Sequence, residues 1–189
     1  MREDVPLKLA YRLLNHGPTV LVSAAHEGRR NAMAAAWAMP LDFAPPKVAI
    51  VIDRSTFTRG LVEASGRFAL SVPCRATADL TYTLGSHSGA DEDKLERRGV
   101  PWFAGSTCEA PLIEGCVAWL ECRVIPWPEQ QAAHDLFLGE VLAAQADSRV
   151  FRGGRWHFDE ADPDLRTLHH VAGGAFLSPS DQLQAKALP

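Results

Sequence analysis

The chain has 189 residues, of which 47% are hydrophobic and 22% are charged, as is usual for a soluble globular protein. Its formal net charge of -4 argues against a nucleic-acid partner, which would need a basic face. No apolar run reaches the length of a membrane span, and the charged segment 1–8 lacks the apolar region of a signal peptide. We therefore expect one cytoplasmic domain over residues 1–189 that ends in a polar tail.

Several common motifs for metal binding and catalysis are absent. The four cysteines form no CxxC pair and have no histidine at zinc-ligand spacing, so reduced thiols are expected at Cys74, Cys108, Cys116 and Cys122. Neither GxGxxG nor GxxxxGK[ST] occurs. The stretch Gly85–Gly89 has the spacing of a nucleophile elbow, but His87 replaces the required serine, which argues against a hydrolase. The adjacent His169 and His170 and the acidic run 91–93 lack metal-ligand spacing.

The first third of the chain predicts a helix followed by closely spaced strands. Apolar residues at helical spacing indicate an amphipathic helix over residues 7–14. A strand over 19–25, a glycine-containing turn and a second strand over 31–38 suggest a hairpin. The alanine-rich second strand would suit a helix by propensity, but the proline that follows leaves too little room. Residues 44–46 then form an extended connection to a buried strand over 47–53.

The rest of the chain alternates short helices and strands without a regular pattern. We predict helices over 60–65 and 77–85, strands over 67–73, 116–127, 135–147 and 155–158, and a loop with a short helix over 85–99. Gly139 is expected to mark a bulge or a close approach within its strand. Six or seven closely spaced strands argue against a doubly wound parallel sheet. They favour a mainly β fold with peripheral helices (α+β), built as an antiparallel barrel.

The segment after the 47–53 strand carries the first functional signal. The strand leads into Arg54–Arg59, which supplies serine and threonine hydroxyls at the start of a helix. A helix start has unpaired N–H groups and partial positive charge, and so it can bind a phosphate. Arg54 and Arg59 could add charge-assisted bonds. The same residues also fit an ordinary N-cap with two solvated arginines, and alone they favour that alternative.

Nine short motifs follow one another along nearly the whole chain. They are PTVLVSA, Asn31 with Trp37 six residues later, PPKVAIVI, ST-x-T, GRFALSVP, Asp93-Lys94, PLIEG, His134 before LFLGEV, and GG-x-F. In this order and spacing they resemble the flavin reductase-like family, the FMN-binding split barrel that includes flavoredoxins. Each motif is weak alone, and it is their collinearity from about Leu7 to about Ser178, the expected core, that is specific.

The resemblance implies a split β-barrel of the FMN-binding type that forms a homodimer with FMN at the subunit interface. It implies these cofactor-binding residues: Asn31, Ala35, Ala36, Trp37, Arg54, Ser55, Thr58, Lys94, His134 and Phe176. The first four would lie near the flavin ring, and Ser55 and Thr58 would hold its phosphate. Two departures stand out, because Ala35 and Ala36 replace hydroxyl side chains common in relatives, and Phe176 replaces a common tyrosine. Taken singly, Trp37, Lys94, His134 and Phe176 favour ordinary structural roles, and only the collinear pattern favours the flavin roles.

The function implied by the resemblance is an FMN-binding oxidoreductase, foremost an NAD(P)H-dependent flavin reductase. Electrons would pass from NADH or NADPH through FMN to a flavin, a metal complex or a protein. The chemistry belongs to the flavin N5 atom, so no catalytic side chain and no metal are expected. Two alternatives remain open: a flavoredoxin-like electron carrier without its own nicotinamide site, and a split barrel that has lost flavin and serves only in binding or dimerisation.

Overall fold

The computed structural model describes residues 1–186, and within them β-strands outnumber helices. The strands are β1 (Arg2–Asp4), β2 (Val20–His26), β3 (Arg29–Ala35), β4 (Ala38–Phe43), β5 (Pro46–Val51), β6 (Arg67–Val72), β7 (Trp102–Ala104), β8 (Pro111–Ile113), β9 (Ala118–Ile125), β10 (Leu136–Asp147), β11 (Phe151–Arg152), β12 (Arg155–Trp156), β13 (His169–Ala172) and β14 (Ala175–Leu177). The α-helices are α1 (Leu7–Ala10), α2 (Phe57–Ser65), α3 (Ala78–Ser86), α4 (Lys94–Arg97) and α5 (Pro128–His134). The predicted polar tail extends to residue 189, so its last three residues lie outside the described part.

One antiparallel sheet of eight strands dominates the fold. Its order is β3-β2-β6-β9-β10-β5-β4, and β1 also pairs with β10. The long strand β10 pairs with β5 through Leu136–Glu140 and with β1 through Gln145–Asp147, so its two halves have different neighbours. Three two-stranded ribbons complete the fold: β7-β8, β11-β12 and β13-β14. The predicted mainly β, antiparallel fold class is confirmed.

Both faces of the central strands are buried, and this explains their continuous apolar sequences. On one face Phe68 and Leu70 of β6 belong to the main core, together with Leu120 of β9. On the other face Ala69 and Trp119 belong to a second core beneath α3, α4 and β8. Successive strand residues point to opposite faces, so a strand between two cores is largely apolar on both faces, with Ser71 and Glu121 as buried exceptions.

Several element boundaries differ from the sequence prediction. The N-terminal helix is α-helical only over Leu7–Ala10 and continues as a tighter 3-10 turn over Tyr11–Leu13. The extended connection predicted over 44–46 is wrong, because a strand not predicted from the sequence, β4, pairs with β5 and leaves a hairpin turn there. Helix α2 begins at Phe57, three residues before the predicted start. The short strands β7 and β8 and helix α5 were also missed, although the proline in the first turn of α5 is a recognised start signal.

The described chain offers no obvious membrane or metal-binding element. None of the helices within residues 1–186 combines the length and apolar character needed to cross a membrane. In the same residues no group of three or more histidine, cysteine or carboxylate side chains is placed to hold a metal ion. The four cysteines are free thiols, and Cys74, Cys116 and Cys122 are buried.

Gly139 marks a close approach between β10 and the core. A Cβ atom at this position would lie 2.5 Å from Cζ of Phe68 and 3.2 Å from Cβ of Cys122. The expected close approach is confirmed, whereas the irregularity of the β10 ladder lies between Val141 and Ala143. Phe68 is fully buried, so its ring cannot move aside without disturbing the core.

We therefore expect Gly139→Ala to lower the free energy of unfolding by about 1–3 kcal/mol, because the added methyl overpacks the core. Gly60→Ala is the matched control. A Cβ at Gly60, inside α2, would meet nothing within 4 Å. This control should raise stability by about 0.5–1 kcal/mol, since alanine favours the helix. Urea unfolding of both variants measures the two effects, and equal changes would contradict the overpacking argument.

Candidate functional site

Two adjoining cavities form a groove between β3, α2, α3 and the β13-β14 ribbon. The β3 pocket, of about 290 Å³, is lined by Thr19, Ala34, Ala35, Ala36, Thr81, Tyr82, Gly85, Ser86, His170, Gly173 and Phe176. The α2 pocket, of about 270 Å³, lies beside the start of α2. Ala34, Gly85 and Ser86 line both pockets, so the two are parts of one groove. We call it the β3–α2 groove.

Small residues allow α3 to lie directly against β3 where the two pockets meet. A Cβ at Gly85 would lie 3.1 Å from Cβ of Ala34, which is tighter than ordinary van der Waals contact. The run of three alanines at 34–36 likewise leaves the backbone at the end of β3 open to the pocket. A flat ligand can therefore approach main-chain atoms here without displacing a side chain.

The start of α2 keeps its backbone donors free of a side-chain cap. Thr56 occupies the N-cap position with extended backbone, but its hydroxyl donates to the carbonyl oxygen of Asp53 at 2.8 Å. The hydroxyl and the N–H of Ser55 both donate to Oδ1 of Asp53, and these bonds lower the pKa of that carboxyl. Thus the first-turn N–H groups of α2 receive no side-chain cap, and Ser55, Thr56, Phe57 and Thr58 all line the α2 pocket. Uncapped donors at a helix start form an anion-binding geometry.

Asn31 joins β3 to the start of α2. Its Nδ2 atom donates to Oγ1 of Thr58 at 2.8 Å, and Asn31 is 3% exposed while Thr58 is fully buried. Gly89 packs against the other side of the Asn31 carboxamide, since a Cβ there would lie 2.5 Å from Cγ of Asn31. Only glycine fits at this point, and so the loop after α3 closes onto the same amide that anchors α2.

Lys94 is a buried cation at the edge of the α2 pocket. The residue is 1% exposed, and its ammonium donates to the carbonyl oxygens of Leu84 and His87, each at 2.8 Å. These carbonyls lie at the C-terminal end of α3, where the helix dipole favours positive charge. Burial lowers the pKa of Lys94 to about 8. Two of the three N–H bonds are used by these carbonyls, so one is left to reach an acceptor in the pocket.

The structure brings together seven of the ten residues expected at the site. Those lining the β3–α2 groove are Asn31, Ala35, Ala36, Ser55, Thr58, Lys94 and Phe176. Trp37 follows Ala36 in the chain, but its side chain lies at the surface and is 75% exposed. His134 is the exposed last residue of α5.

Arg54 lies on the far side of α2 from the groove. Its guanidinium donates to the carbonyl oxygen of Ala132 at 2.8 Å and lies 3.4 Å from Asp135. Arg59 is also committed elsewhere, because it bonds to Glu63, Asp135 and the carbonyl oxygen of Gln131. In this structure neither arginine reaches the α2 pocket, which leaves Lys94 as the cation among the residues that line it.

Several residues that line the groove were not identified from the sequence. The stretch Gly85–Gly89, which the sequence predicts only as part of a loop, forms one wall of the α2 pocket. The feature of the sequence that could have indicated this wall is a polar stretch with two glycines at the end of the predicted helix. Tyr82, His170 and Thr19 also line the β3 pocket, and no local pattern distinguishes them from surface residues.

The mainly antiparallel sheet with peripheral helices matches the split barrel of flavin reductase-like structures. The family model described as "Flavin reductase like domain" matches residues 12–163. The chain therefore belongs to the flavin reductase-like family, and the resemblance read from the sequence is confirmed.

Three similar proteins illustrate the range of this family. A crystal structure described as an FMN-binding domain of a flavin reductases-like enzyme from Shewanella baltica OS155 is 49% identical, with a TM-score of 0.96 and 98% of each chain covered. The uncharacterized protein YddH of Escherichia coli K12 is 47% identical over 190 residues, which cover 98% of this chain and all of YddH. The NADH-dependent FAD reductase of Streptomyces globisporus is 29% identical over 170 residues, covering 86% of this chain and 90% of that protein.

The buried ammonium of Lys94 should make stability depend on pH in a specific window. Its pKa of about 8 in the folded chain lies below the ordinary value of 10.5, so between these values the unfolded chain binds more protons. The contribution of Lys94 to the free energy of unfolding should therefore rise as the pH increases from about 8 to 10.5. Urea unfolding of wild type and Lys94→Met across this range measures it as a widening difference in favour of wild type. Parallel curves for the two proteins would contradict the assigned burial.

Proposed function

We propose that this chain binds FMN in the β3–α2 groove and acts as an NAD(P)H-dependent flavin reductase. The observation that carries the proposal is the polarity of the groove. One end is walled by alanines, glycines and Phe176, and the other end collects uncapped helix donors and a buried ammonium. FMN has the same division, with a flat ring system at one end and a phosphate at the other.

The α2 pocket fits a phosphate by the chemistry of its donors. The first-turn N–H groups of α2, the hydroxyl of Thr58 and the remaining N–H of Lys94 would hold its oxygens. Since Thr58 Oγ1 accepts from Asn31, its own proton is directed to another acceptor. Asn31 thus orients the hydroxyl, and Gly89 keeps the loop close enough to close the pocket.

The β3 pocket fits the flavin ring system. The backbone beside Ala35 and Ala36 would offer hydrogen-bond donors to the ring edge, and Phe176 would cover the ring. His170 packs edge-on against Phe176, with 5.6 Å between ring centroids, and so fixes the orientation of that wall. When bound, FMN would supply the redox chemistry by taking a hydride from NADH or NADPH and passing electrons to an acceptor.

The apolar stripe beside the groove supports a homodimer. Trp37, Met39 and Leu41, on β4 and the residue before it, are 75%, 55% and 46% exposed and form this stripe. A shift of register between Pro40 and Asp42 turns Phe43 to the other face, beside Tyr11. Strand β4 is an edge of the sheet, so the stripe borders unpaired backbone as well. A second copy of the chain would cover these side chains and place Trp37 at the flavin ring, as the family resemblance implies.

The decisive experiment for the function is an anaerobic absorbance spectrum of the purified chain mixed with FMN, before and after addition of NADH or NADPH. We expect FMN to bind and one of the nucleotides to bleach its visible bands. If FMN binds but neither nucleotide bleaches it, the chain is an electron carrier and not an NAD(P)H-dependent reductase. A chain that binds no FMN would overturn the proposal altogether.

Variants at Thr58 connect FMN binding to the α2 pocket. Thr58→Val removes the oriented hydroxyl and should weaken FMN binding about tenfold, the effect of losing one hydrogen bond to a charged group. Thr58→Ser, the matched control, retains the hydroxyl and should bind FMN within about twofold of wild type. Quenching of FMN fluorescence provides the dissociation constants. Equal FMN affinities of the two variants would contradict the assignment of the phosphate site to the α2 pocket.

A charge on the apolar stripe should separate the proposed dimer. Met39→Glu places a carboxylate at the centre of the stripe, and sedimentation should then report a monomer, because an unpaired charge is costly to bury. Leu183→Glu is the control, since Leu183 is also exposed, at 91%, but lies outside the stripe. A monomeric wild type, or a dimer that persists in Met39→Glu, would contradict this assignment.

A further inference from the structure

A separate cavity lies on the other side of the β13-β14 ribbon from the β3–α2 groove. Its volume of about 700 Å³ is in the usual range for a small-molecule site. The residues that follow α1 and the β11-β12 ribbon form one side of it, and the C-terminal segment between 179 and 184 forms the other, so we call it the tail cavity. His169 lines the tail cavity while the adjacent His170 lines the β3 pocket, so the ribbon separates the two sites.

Four aromatic rings form a fixed wall of the tail cavity. Trp156 and Phe158 stack on each other, with 4.9 Å between their ring centroids. His16 packs edge-on against Trp156 at 5.1 Å, and His169 packs edge-on against His16 at 5.5 Å. The indole N–H of Trp156 donates to the carbonyl oxygen of Arg12 at 3.0 Å, which fixes the orientation of the indole. A flat ligand can therefore stack on this wall without ordering mobile side chains.

Arg12 is the oriented cation of the tail cavity. Its Nη1 atom donates to the carbonyl oxygen of Gly154 and its Nε atom to the hydroxyl of Tyr11, each at 3.1 Å. A Cβ at Gly154 would lie 3.2 Å from Nη1 of Arg12, so glycine lets the β11-β12 turn close onto the guanidinium. Of the five N–H donors of an arginine, those left on Nη1 and Nη2 are the pair that can bind a carboxylate in bidentate geometry.

The charges around the tail cavity favour an anion. The charged residues that line it are Arg12, Arg155 and Asp181, and none of the three forms an ion pair within residues 1–186. Burial lowers the pKa of His16 to about 4 and also lowers the pKa of His169, so both rings are neutral at pH 7. The lining therefore carries an excess of positive charge. A quaternary ammonium ligand, which an aromatic wall would otherwise suit, is disfavoured.

His16 adds an unused polar atom to the aromatic wall. Its Nε2 atom lies 2.9 Å from Oγ1 of Thr167, whereas its Nδ1 atom is buried without a hydrogen-bond partner among the described residues. The hydroxyl of Thr167 can donate to Nε2, which leaves the ring proton on Nδ1 as a donor without an acceptor. Such a donor is costly to bury, and a ligand that brings acceptor oxygens to this wall removes that cost.

We propose that the tail cavity binds a small aromatic carboxylate of one or two fused rings. The carboxylate pairs with Arg12 through two parallel N–H bonds, Arg155 adds positive charge at the rim, and the rings lie against Trp156 and Phe158. The site is distinct from the β3–α2 groove, so it stands whether or not FMN binds there.

The test measures the binding of three probes to the full chain by titration calorimetry. They are 1-naphthoate, its uncharged analogue 1-naphthalenemethanol, and benzoate. We expect naphthoate to bind about tenfold more tightly than naphthalenemethanol, because only the carboxylate forms charge-assisted bonds with Arg12. Benzoate should bind about tenfold more weakly than naphthoate, because it buries one ring fewer.

Variants at Arg12 locate the effect. Arg12→Gln should weaken naphthoate binding about tenfold and leave naphthalenemethanol binding within about twofold, because the aromatic wall remains. Arg12→Lys, which keeps the charge without the planar fork, should fall between wild type and Arg12→Gln. Arg123→Gln is the control, since Arg123 is an exposed arginine of β9 that pairs with Glu140 and does not line the tail cavity. It should change neither affinity.

Each outcome decides for or against the tail cavity. Equal affinities of wild type for naphthoate and naphthalenemethanol, no binding of naphthoate, or an unchanged naphthoate affinity in Arg12→Gln would overturn the proposal. Displacement of naphthoate by saturating FMN would also overturn it, because the probe would then occupy the flavin groove. If Arg12→Gln unfolds at a lower temperature than wild type, Arg155→Gln takes its place, since Arg155 is an exposed residue at the rim. This second variant should weaken naphthoate binding about threefold, and an unchanged affinity would count against the site.

Discussion

The hydrogen bond from Asn31 to Thr58 is the contact on which the rest of the groove depends. It joins the middle of β3 to the first turn of α2, two segments that are 27 residues apart in the chain. Both partners are buried, so the bond is shielded from water and would be costly to leave unmade. Because Thr58 Oγ1 accepts from Asn31, its hydroxyl proton is left to donate to another acceptor. The start of α2 is therefore tied to β3 by one amide, while Leu61 and Val62 pack the rest of the helix into the core.

The wall opposite α2 is assembled around the same amide. Gly89 packs against Asn31 where no side chain would fit, and Lys94 ties the end of α3 to the following loop through the carbonyl oxygens of Leu84 and His87. The ammonium does two things at once. It satisfies buried carbonyls at the negative end of a helix, and it brings positive charge beside the uncapped start of another helix. Burial of the ammonium is unfavourable and lowers the pKa of Lys94, and the two carbonyl oxygens that accept its hydrogen bonds offset part of that cost.

The sequence anticipated the long strands β2, β3, β5, β6, β9 and β10 and the polar composition of the helix start. The β-branched run over 47–53 became β5, and the polar residues after it did lead into a helix with an uncapped first turn. The prediction from sequence failed for the arginine side chains, because the local sequence does not determine which way they point. Arg54 and Arg59 flank the helix start in the chain, yet the turn carries both guanidinium groups to the outer side of α2, where Asp135 pairs with them. Asp135 directly follows α5, and no local pattern in the sequence places it beside these arginines.

What the sequence determined by itself was the mainly β class, the family and most of the segments that line the groove. Periodic burial and turn chemistry act over a few residues, and the order of the motifs is visible in the chain alone. The tertiary structure decided which residues meet: Asn31 with Thr58 and Gly89, Lys94 with the end of α3, and Arg29 with Phe57. These pairs depend on strand register and on how closely α2 and α3 pack against β3. Such contacts arise between segments distant in sequence, where no local pattern specifies which side chain faces which partner.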